Sequence, residues 1–290
     1  MRLDTLSKTG GGVQEALSGS VRLYSEVLNR EVEVPETPRR IVSLSPAITE
    51  TLYMLGLEDR IAGVSVYDHK PPKAREKPKV GSYYKVNMKL LEQLNPDLIL
   101  VTTGAQRRIL EDLSRRYPVY PIPLPVSVSG IIDQAVQVGI VTGALEEASR
   151  LETELLDKAS KLRGAGRGLR IYYEVYLGGP VTAGAHTYIS DAFRIAGVET
   201  PFMSERTTWI YQPPPERINR FKPQFILYEY SAYAPTTAEK VRGELEARGV
   251  DVGSAELVLL EPDTLAHYGP SFIDTMLDLL KTLRDKAGLG

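Results

Sequence analysis

Residues 90–100 read LLEQLNPDLIL, and residues 217–227 read RINRFKPQFIL. Each segment has the apolar spacing of a short helix, then a proline, then an apolar run of strand length. Pro96 and Pro223 occupy equivalent places in the two segments. Two copies of such a unit indicate a chain of two similar α/β halves. Chance similarity of two short segments is the alternative explanation.

The first half begins with a strand-like segment, 41–44, which is followed by Ser45 and Pro46. Apolar residues then recur at helical spacing until Gly56. Serine is a favoured N-cap, proline is favoured at the first helical position, and glycine commonly follows a helix end. Further apolar runs alternate with helical patterns in both halves, which predicts mostly parallel sheets.

A long amphipathic segment connects the two halves. Between Val128 and Arg163, apolar residues recur at spacings of three and four, which predicts one continuous helix about 50 Å long. Gly139 and Gly143 lie inside it and either weaken it or allow close packing. We therefore predict an α/β protein of two Rossmann-like lobes, joined by one long rigid α-helix, with a ligand cleft between the lobes.

The predicted domain bounds follow from these elements. They are a partly flexible N-terminal extension (1–34), an N-terminal lobe (35–127), the interlobe helix (128–165) and a C-terminal lobe (166–290). The glycine run 10–12 belongs to the extension and carries no phosphate-binding signature.

Composition narrows the functional classes. The 290-residue chain is 42% hydrophobic and 25% charged, which is typical of a globular protein. A formal net charge of −2 gives no indication of a nucleic-acid partner. Without cysteine there is no disulfide, no zinc–thiolate site and no lipid-bearing N-terminal cysteine. Asparagine and glutamine are scarce, which favours a thermophilic source.

Four segments, taken in order, resemble one family of proteins. They are RRIVSLSPAITETLYMLGL (39–57), VGSYYKVNMKLLEQLNPDLIL (80–100), the predicted helix 128–163 and HYGPSFIDTMLDLL (267–280). They are similar to segments of the helical-backbone substrate-binding proteins of ABC importers for cobalamin, ferric siderophores and haem. The resemblance covers roughly residues 30–285. It implies a substrate-binding component that holds a ligand between two lobes, and it alone supplies transport and ligand class.

The resemblance also implies an ABC permease dimer that docks on a surface glutamate of each lobe. The second-lobe position matches Glu216, whereas the first-lobe position is Lys89, with Glu92 nearby on the same predicted helix. A reversed charge at Lys89 would repel a permease arginine, so we expect docking through Glu216 and Glu92. The implied location is the periplasm or the outer face of the membrane. The first 34 residues lack the apolar core of a secretory signal, so an intracellular binding protein without a permease is an alternative.

Candidate ligand contacts lie in the loops after predicted strands, because ligands of doubly wound sheets bind at the carboxyl ends of strands. Tyrosine and tryptophan bury flat apolar area while keeping a polar edge, which suits a planar or macrocyclic ligand. The expected contacts are Ser45, Pro46, Ala47, Tyr67, Tyr83, Tyr84, His186, Trp209, Tyr230, His267 and Tyr268. By resemblance, Tyr67 and Tyr83 match aromatic cleft positions, and Trp209 falls within a residue of a third. Tyrosines that merely cap sheet edges are the alternative.

Three histidines are the candidate metal ligands. His69, His186 and His267 all fall in predicted cleft loops, but no HxH or HxxxH spacing joins them. Any one of them could be an axial ligand to haem iron or cobalt. Asp68, Asp263 and Glu205 are further candidate polar anchors.

Catalysis finds little support, because the chain has neither a GxSxG motif nor a Walker loop. We predict a monomeric binding protein with no resident cofactor, no enzymatic activity and no nucleic-acid partner. The cleft loops carry aromatics rather than an arginine cluster, which favours a corrinoid over an anionic ferric siderophore. A metal chelatase of tetrapyrrole synthesis is the alternative, because it too can place a cleft between two α/β lobes.

Overall fold

The computed structural model describes residues 19–104, 107–253 and 255–289, without the side chains of Arg107 and Arg108. The predicted flexible glycines 10–12 lie outside these residues. The strands are β1 (Ser20–Ser25), β2 (Arg30–Pro35), β3 (Ile41–Ser43), β4 (Ile61–Ser65), β5 (Lys79–Gly81), β6 (Leu98–Thr102), β7 (Val119–Ile122), β8 (Ile171–Tyr176), β9 (Pro180–Ala183), β10 (Trp209–Tyr211), β11 (Phe225–Glu229) and β12 (Glu256–Leu260). The α-helices are α1 (Pro46–Met54), α2 (Met88–Leu94), α3 (Arg107–Ser114), α4 (Val128–Thr142), α5 (Leu145–Lys161), α6 (Tyr188–Ala196), α7 (Pro215–Phe221), α8 (Ala238–Ala247) and α9 (Phe272–Lys286).

The N-terminal lobe contains a fully parallel sheet of order β5-β4-β3-β6-β7. If the strands of this sheet are numbered in chain order, beginning with β3 as 1, the order is 3-2-1-4-5. This matches the first five strands of the Rossmann fold. The winding direction reverses between β3 and β6. The crevice outside the carboxyl ends of these two strands is therefore the place where a ligand is expected.

The C-terminal lobe repeats this order as β10-β9-β8-β11-β12, so the duplication is visible in the topology. It differs in direction, because β9 runs antiparallel to both β8 and β10. Trp209 is expected in a loop after a predicted strand, and that expectation is wrong, because Trp209 is the first residue of β10. Only residues 177–179 separate β8 from β9, which is too short for a parallel crossover but sufficient for a hairpin. Gly178 supports that turn with φ +84°.

The connection between the lobes is two helices, α4 and α5, rather than the continuous helix that the periodicity predicts. Gly143 ends α4 in the left-handed conformation, with φ +71°. A Cβ on Gly143 would overlap the backbone oxygen of Glu36, and a Cβ on Gly139 would overlap the side chain of Ala148. The two glycines therefore permit close packing at the cost of helix continuity.

One apolar core joins the two lobes. Helix α4 packs against α1 of the first lobe and α6 of the second, and α5 packs against α9. The largest buried cluster accordingly contains Ile48 of α1, Val138 of α4 and Phe193 of α6. Val32 and Val34 of the β1–β2 hairpin belong to the same cluster. The predicted two-lobed α/β architecture is confirmed, and the shared core holds the lobes in one arrangement.

Within the described residues, no helix is both long and apolar enough to cross a membrane.

Candidate ligand-binding site between the lobes

A cavity of about 320 Å³ lies between the lobes, where strands of both sheets end. Its first-lobe wall is formed by Pro46, Val66, Tyr67, His69 and Tyr83. Its second-lobe wall includes Tyr176, Leu177, Glu229, Tyr230, Tyr233, Asp263 and Tyr268. This volume is near the lower end of the roughly 300–1,000 Å³ that small-molecule sites span. The site therefore has the position that the doubly wound topology predicts, with both lobes contributing.

Six tyrosines supply aromatic surface to the cavity. They are Tyr67, Tyr83, Tyr176, Tyr230, Tyr233 and Tyr268. The rings of Tyr67 and Tyr83 lie 4.5 Å apart between centroids and are tilted by 36°. Burial raises the pKa of Tyr83 far above its ordinary value, and it raises that of Tyr67 as well. These phenols therefore stay protonated and offer flat faces together with hydroxyl donors.

Tyr268 of the second lobe lies in the crevice between β3 and β6 of the first lobe. Its hydroxyl oxygen lies 3.4 Å from Ser45 Oγ and 3.4 Å from Thr102 Oγ1, at the carboxyl ends of β3 and β6. Ser45 precedes α1 in the N-cap position, but its side chain makes no capping bond. Ser45 and Ala47 are buried. Pro46 reaches the cavity, whereas Ser45 and Ala47 lie behind its lining.

Glu229 is a buried carboxylate in the cavity wall. Its oxygens accept hydrogen bonds from the backbone N–H groups of Leu265, at 2.9 Å, and Ala266, at 3.1 Å. The hydroxyl of Tyr173 also donates to it, at 2.9 Å. Burial raises the pKa of Glu229 to about 7, although these three donors act in the opposite direction. The carboxyl group therefore titrates close to neutral pH.

His69 and Asp263 bridge the two lobes at the cavity. His69 Nε2 lies 2.9 Å from Asp263 Oδ2, and its Nδ1 lies 2.7 Å from the backbone oxygen of Tyr67. The hydrogen bond to Asp263 raises the pKa of His69. Burial acts to raise the pKa of Asp263, but the hydrogen bond from His69 and nearby positive charge hold it below its ordinary value. Because both ring nitrogens have partners, a role of His69 as metal ligand would require one of these contacts to break.

His267 makes a second interlobe contact outside the cavity lining. Its Nε2 lies 3.0 Å from Oε2 of Glu50 on α1, and both side chains are buried. The backbone N–H of Ser271 also donates to Glu50, at 3.2 Å. Burial acts to raise the pKa of Glu50, but the hydrogen bond and charge of His267 lower it overall. This geometry indicates a structural role, and ligand binding by His267 stays a prediction.

Three other predicted contacts lie away from the cavity lining. Tyr84 is 64% exposed and lines a separate surface pocket on the first lobe. His186 is exposed in the β9–α6 loop, and Trp209 is half-buried in β10, where it packs against the core. Their contact with a ligand stays a prediction. No group of three or more histidine and acidic side chains in the described ranges is arranged to hold a metal ion.

The proposed docking glutamates are both exposed. Glu216 lies in the first turn of α7, and Glu92 lies on α2, 3.9 Å from the guanidinium of Arg116. Lys89 is also exposed on α2. In each lobe the helix concerned precedes the fourth strand of the sheet, so the two glutamates occupy related places in the duplicated topology.

Sequence reasoning missed several cavity residues, among them Glu229 and Leu177. Glu229 ends the apolar strand segment FILYE. Its position at a strand's carboxyl end was the available signal, because ligand contacts gather there. Leu177 is 53% exposed and carries no motif that would distinguish it from an ordinary loop residue.

Comparison with known proteins agrees with the two-lobed α/β fold. The sequence profile described as "Periplasmic binding protein" matches residues 41–250. A "Cobalamin-binding protein" of Halobacterium salinarum is 26% identical over 198 residues, which cover 66% of this chain and only 53% of that protein. The chain thus spans about half the length of this relative. An "Uncharacterized ABC transporter substrate-binding lipoprotein YvrC" of Bacillus subtilis is 24% identical over 266 residues, or 88% of this chain and 83% of that protein.

A similar solved structure is the periplasmic heme-binding protein RhuT from Roseiflexus sp. RS-1, determined in its apo form. It superimposes with a TM-score of 0.72 at 20% sequence identity, and the match covers 85% of this chain and 98% of that chain. At this level of identity the comparison establishes the shared fold.

Proposed function

Because the chain belongs to the periplasmic binding protein family, we propose that it is the substrate-binding component of an ABC importer. It captures a corrinoid or another metal chelate between its lobes and delivers it to a membrane permease. The observation that carries this proposal is the cavity at the carboxyl ends of both duplicated sheets, with tyrosines from both lobes in its wall. Such a wall can enclose a flat ligand from two sides.

The charge of the cavity favours a corrinoid among the possible metal chelates. None of the described lining residues is lysine or arginine, whereas Glu229 and Asp263 are acidic. Haem and many ferric siderophores carry carboxylates or other anionic groups that such a wall would repel. The peripheral amides of a corrinoid would instead find hydroxyl and carboxylate partners. A corrinoid is larger than the present cavity, so binding requires the exposed mouth residues Leu177 and Tyr233 to move aside.

Docking and location follow from the same proposal. Glu216 and Glu92 are exposed and would meet basic residues of an ABC permease dimer, with Lys89 next to Glu92. The protein would act as a monomer in the periplasm or at the outer face of the membrane, in keeping with the lipoprotein name of the Bacillus subtilis relative. It would bind its ligand without chemical conversion and without a nucleic-acid partner.

Equilibrium titration of the purified chain tests the proposal. The ligands are cyanocobalamin, cobinamide, haemin and a ferric siderophore, followed by quenching of the intrinsic tyrosine and tryptophan fluorescence. We expect a corrinoid to bind with a dissociation constant below about 10 μM, which corresponds to roughly −7 kcal/mol. Failure of all four ligands to bind in this range would contradict the proposed ligand class.

A further inference from the structure

The interlobe cavity combines aromatic walls with acidic groups. Six tyrosines line it together with Glu229 and Asp263, and His69 is the one basic side chain among its described lining residues. The two carboxylates enter from different places, since Glu229 ends β11 and Asp263 lies in the loop after β12. Acidic side chains within a partly enclosed aromatic wall form an environment that stabilises positive charge.

The tyrosine rings contribute to the same preference. A cation is attracted to the negative face of an aromatic ring when it lies within about 6 Å of the ring centroid. Tyr67 and Tyr83 already form a tilted pair whose centroids are 4.5 Å apart. Tyr230 and Tyr233 line the opposite, second-lobe side. A positive group in the cavity would thus have rings on both sides, an arrangement that resembles an aromatic cage.

The negative charge of the cavity depends on pH. Glu229 has a pKa raised to about 7 by burial, and the groups around it are the hydroxyl of Tyr173, the backbone N–H groups of Leu265 and Ala266, and the Asp263 carboxylate. The hydrogen bond from His69, together with the charges of His69, His267 and Lys70, holds the pKa of Asp263 below its ordinary value, although burial acts to raise it. Lys70 Nζ donates to the backbone oxygen of Asp263 at 2.8 Å, and the hydrogen bond to Asp263 raises the pKa of His69. As pH rises through about 7, Glu229 gains negative charge. His69 loses its positive charge as pH rises through its own raised pKa. Both changes favour a bound cation.

We propose that the interlobe cavity selects ligands that present a positive charge to Glu229 and Asp263. The inference rests on the proposed function, since it concerns the same cavity and specifies the charge of its ligand. Two sources share this chemistry. One is a compact quaternary ammonium compound, which matches the cavity volume of about 320 Å³. The other is a corrinoid with a cationic substituent, which requires the cavity to widen.

Charge-matched ligands distinguish these possibilities. Choline is compared by calorimetry with 3,3-dimethyl-1-butanol, its uncharged carbon isostere. Cyanocobalamin is compared with its monocarboxylic acid, which carries one negative charge, and with the aminoethylamide of that acid, which carries one positive charge. We expect the positive member of at least one series to bind about tenfold more tightly than its neutral analogue, or about 1.4 kcal/mol. Its affinity should rise between pH 6 and pH 8.

Variants assign the effect to the two carboxylates. Glu229→Gln and Asp263→Asn should each reduce the preference for the positive ligand, and Glu229→Gln should also weaken its pH dependence. Glu256→Gln is the matched control, because Glu256 is exposed at the amino end of β12, away from the cavity lining. It should leave the preference unchanged. Asp263→Asn keeps the test informative if Glu229→Gln fails to fold.

The outcomes separate this inference from the proposed function. If corrinoids bind with the same affinity whatever their charge and choline does not bind, the function stands and the charge preference is overturned. If choline binds and all metal chelates fail, the charge preference stands and the proposed ligand class is overturned. Absence of binding in both series overturns both.

Discussion

At the residue scale, Gly269 is required by the buried contact between Glu50 and His267. A Cβ at this position would overlap both Glu50 Oε2 and His267 Nε2. We expect Gly269→Ala to separate Glu50 from His267. The free energy of unfolding should fall by about 3 kcal/mol, because the buried carboxylate of Glu50 would lose its partner. Urea denaturation followed by circular dichroism measures the change.

Gly243→Ala is the control for this substitution. Gly243 lies inside α8, and a Cβ there would meet nothing within 4 Å. Alanine should stabilise this helix by about 0.5–1 kcal/mol. Equal effects of the two alanines would refute the steric role of Gly269.

A second residue-scale prediction concerns Asp68. It is 1% exposed, and within the described structure its Oδ1 has no hydrogen-bond partner. Burial raises its pKa from 3.8 to about 6. Asp68 therefore contributes most to the stability of the folded state below pH 3.8, where it is protonated in both the folded and the unfolded chain. This stabilisation is lost as pH rises towards about 6. The shift corresponds to roughly 3 kcal/mol.

Asp68→Asn should remove this penalty. Relative to the parent protein, the variant should gain stability between about pH 4 and pH 6 and keep that gain at pH 8. Unfolding free energies at four pH values give the comparison, with the exposed Asp133→Asn as control. Parallel stability profiles for the parent and Asp68→Asn would show that Asp68 does not titrate as described.

The position of a single residue could be predicted from the sequence, but its distant contacts could not. The sequence places Ser45 at the start of α1, and the structure has it there. Its hydroxyl instead faces Tyr268, which lies 223 positions later in the chain. Local pattern contains no information on such a partner, because the contact depends on how the β12–α9 loop enters the other lobe. The same reason applies to Asp263 and His69, whose pairing joins both lobes.

At the element scale, Gly143 determines where the interlobe helix is interrupted. Alanine there would have to adopt φ +71° and would overlap the backbone oxygen of Glu36. Gly164→Ala is a matched control, since Gly164 has φ +74° but open space around its Cβ position. We expect the control to lose about 1–2 kcal/mol through its backbone conformation. Gly143→Ala should lose more in urea denaturation, because it adds the steric overlap.

The result can be read directly from the difference between the two variants. Equal losses of stability in Gly143→Ala and Gly164→Ala would mean that close packing against Glu36 is not a reason why α4 ends at a glycine.

Elements with clear local punctuation were predictable. Helix α6 begins after a capping threonine, Thr187, and ends at Gly197, whose φ is +74°. Strands β9 and β10 were not predictable in the same way. Their segments are short, and their pairing depends on a hairpin and an edge contact rather than on hydrophobic periodicity. The break at Gly143 was not predictable either. The buried apolar residues of α4 and α5 follow the same spacing of three and four, so the pattern from 128 to 163 looks like that of one helix.

At the scale of the whole molecule, the duplicated topology explains why the candidate site needs both lobes. Each sheet has strand order 3-2-1-4-5, and the carboxyl ends of both sheets meet at the cavity. Tyr83 contributes from the first lobe and Tyr230 from the second. The shared core through α4 keeps these walls at a fixed separation. A ligand that fits between them should therefore lose affinity when either wall is truncated.

The most direct measurement is the affinity of three alanine variants for whichever ligand of the titration panel binds most tightly. Tyr83→Ala and Tyr230→Ala should each weaken binding at least tenfold, or about 1.4 kcal/mol, because each removes an aromatic wall. Tyr24→Ala should bind like the parent protein, since Tyr24 is exposed on β1 and does not line the cavity. Unchanged affinity in both cavity variants, or a larger loss in Tyr24→Ala, would contradict a ligand site between the lobes.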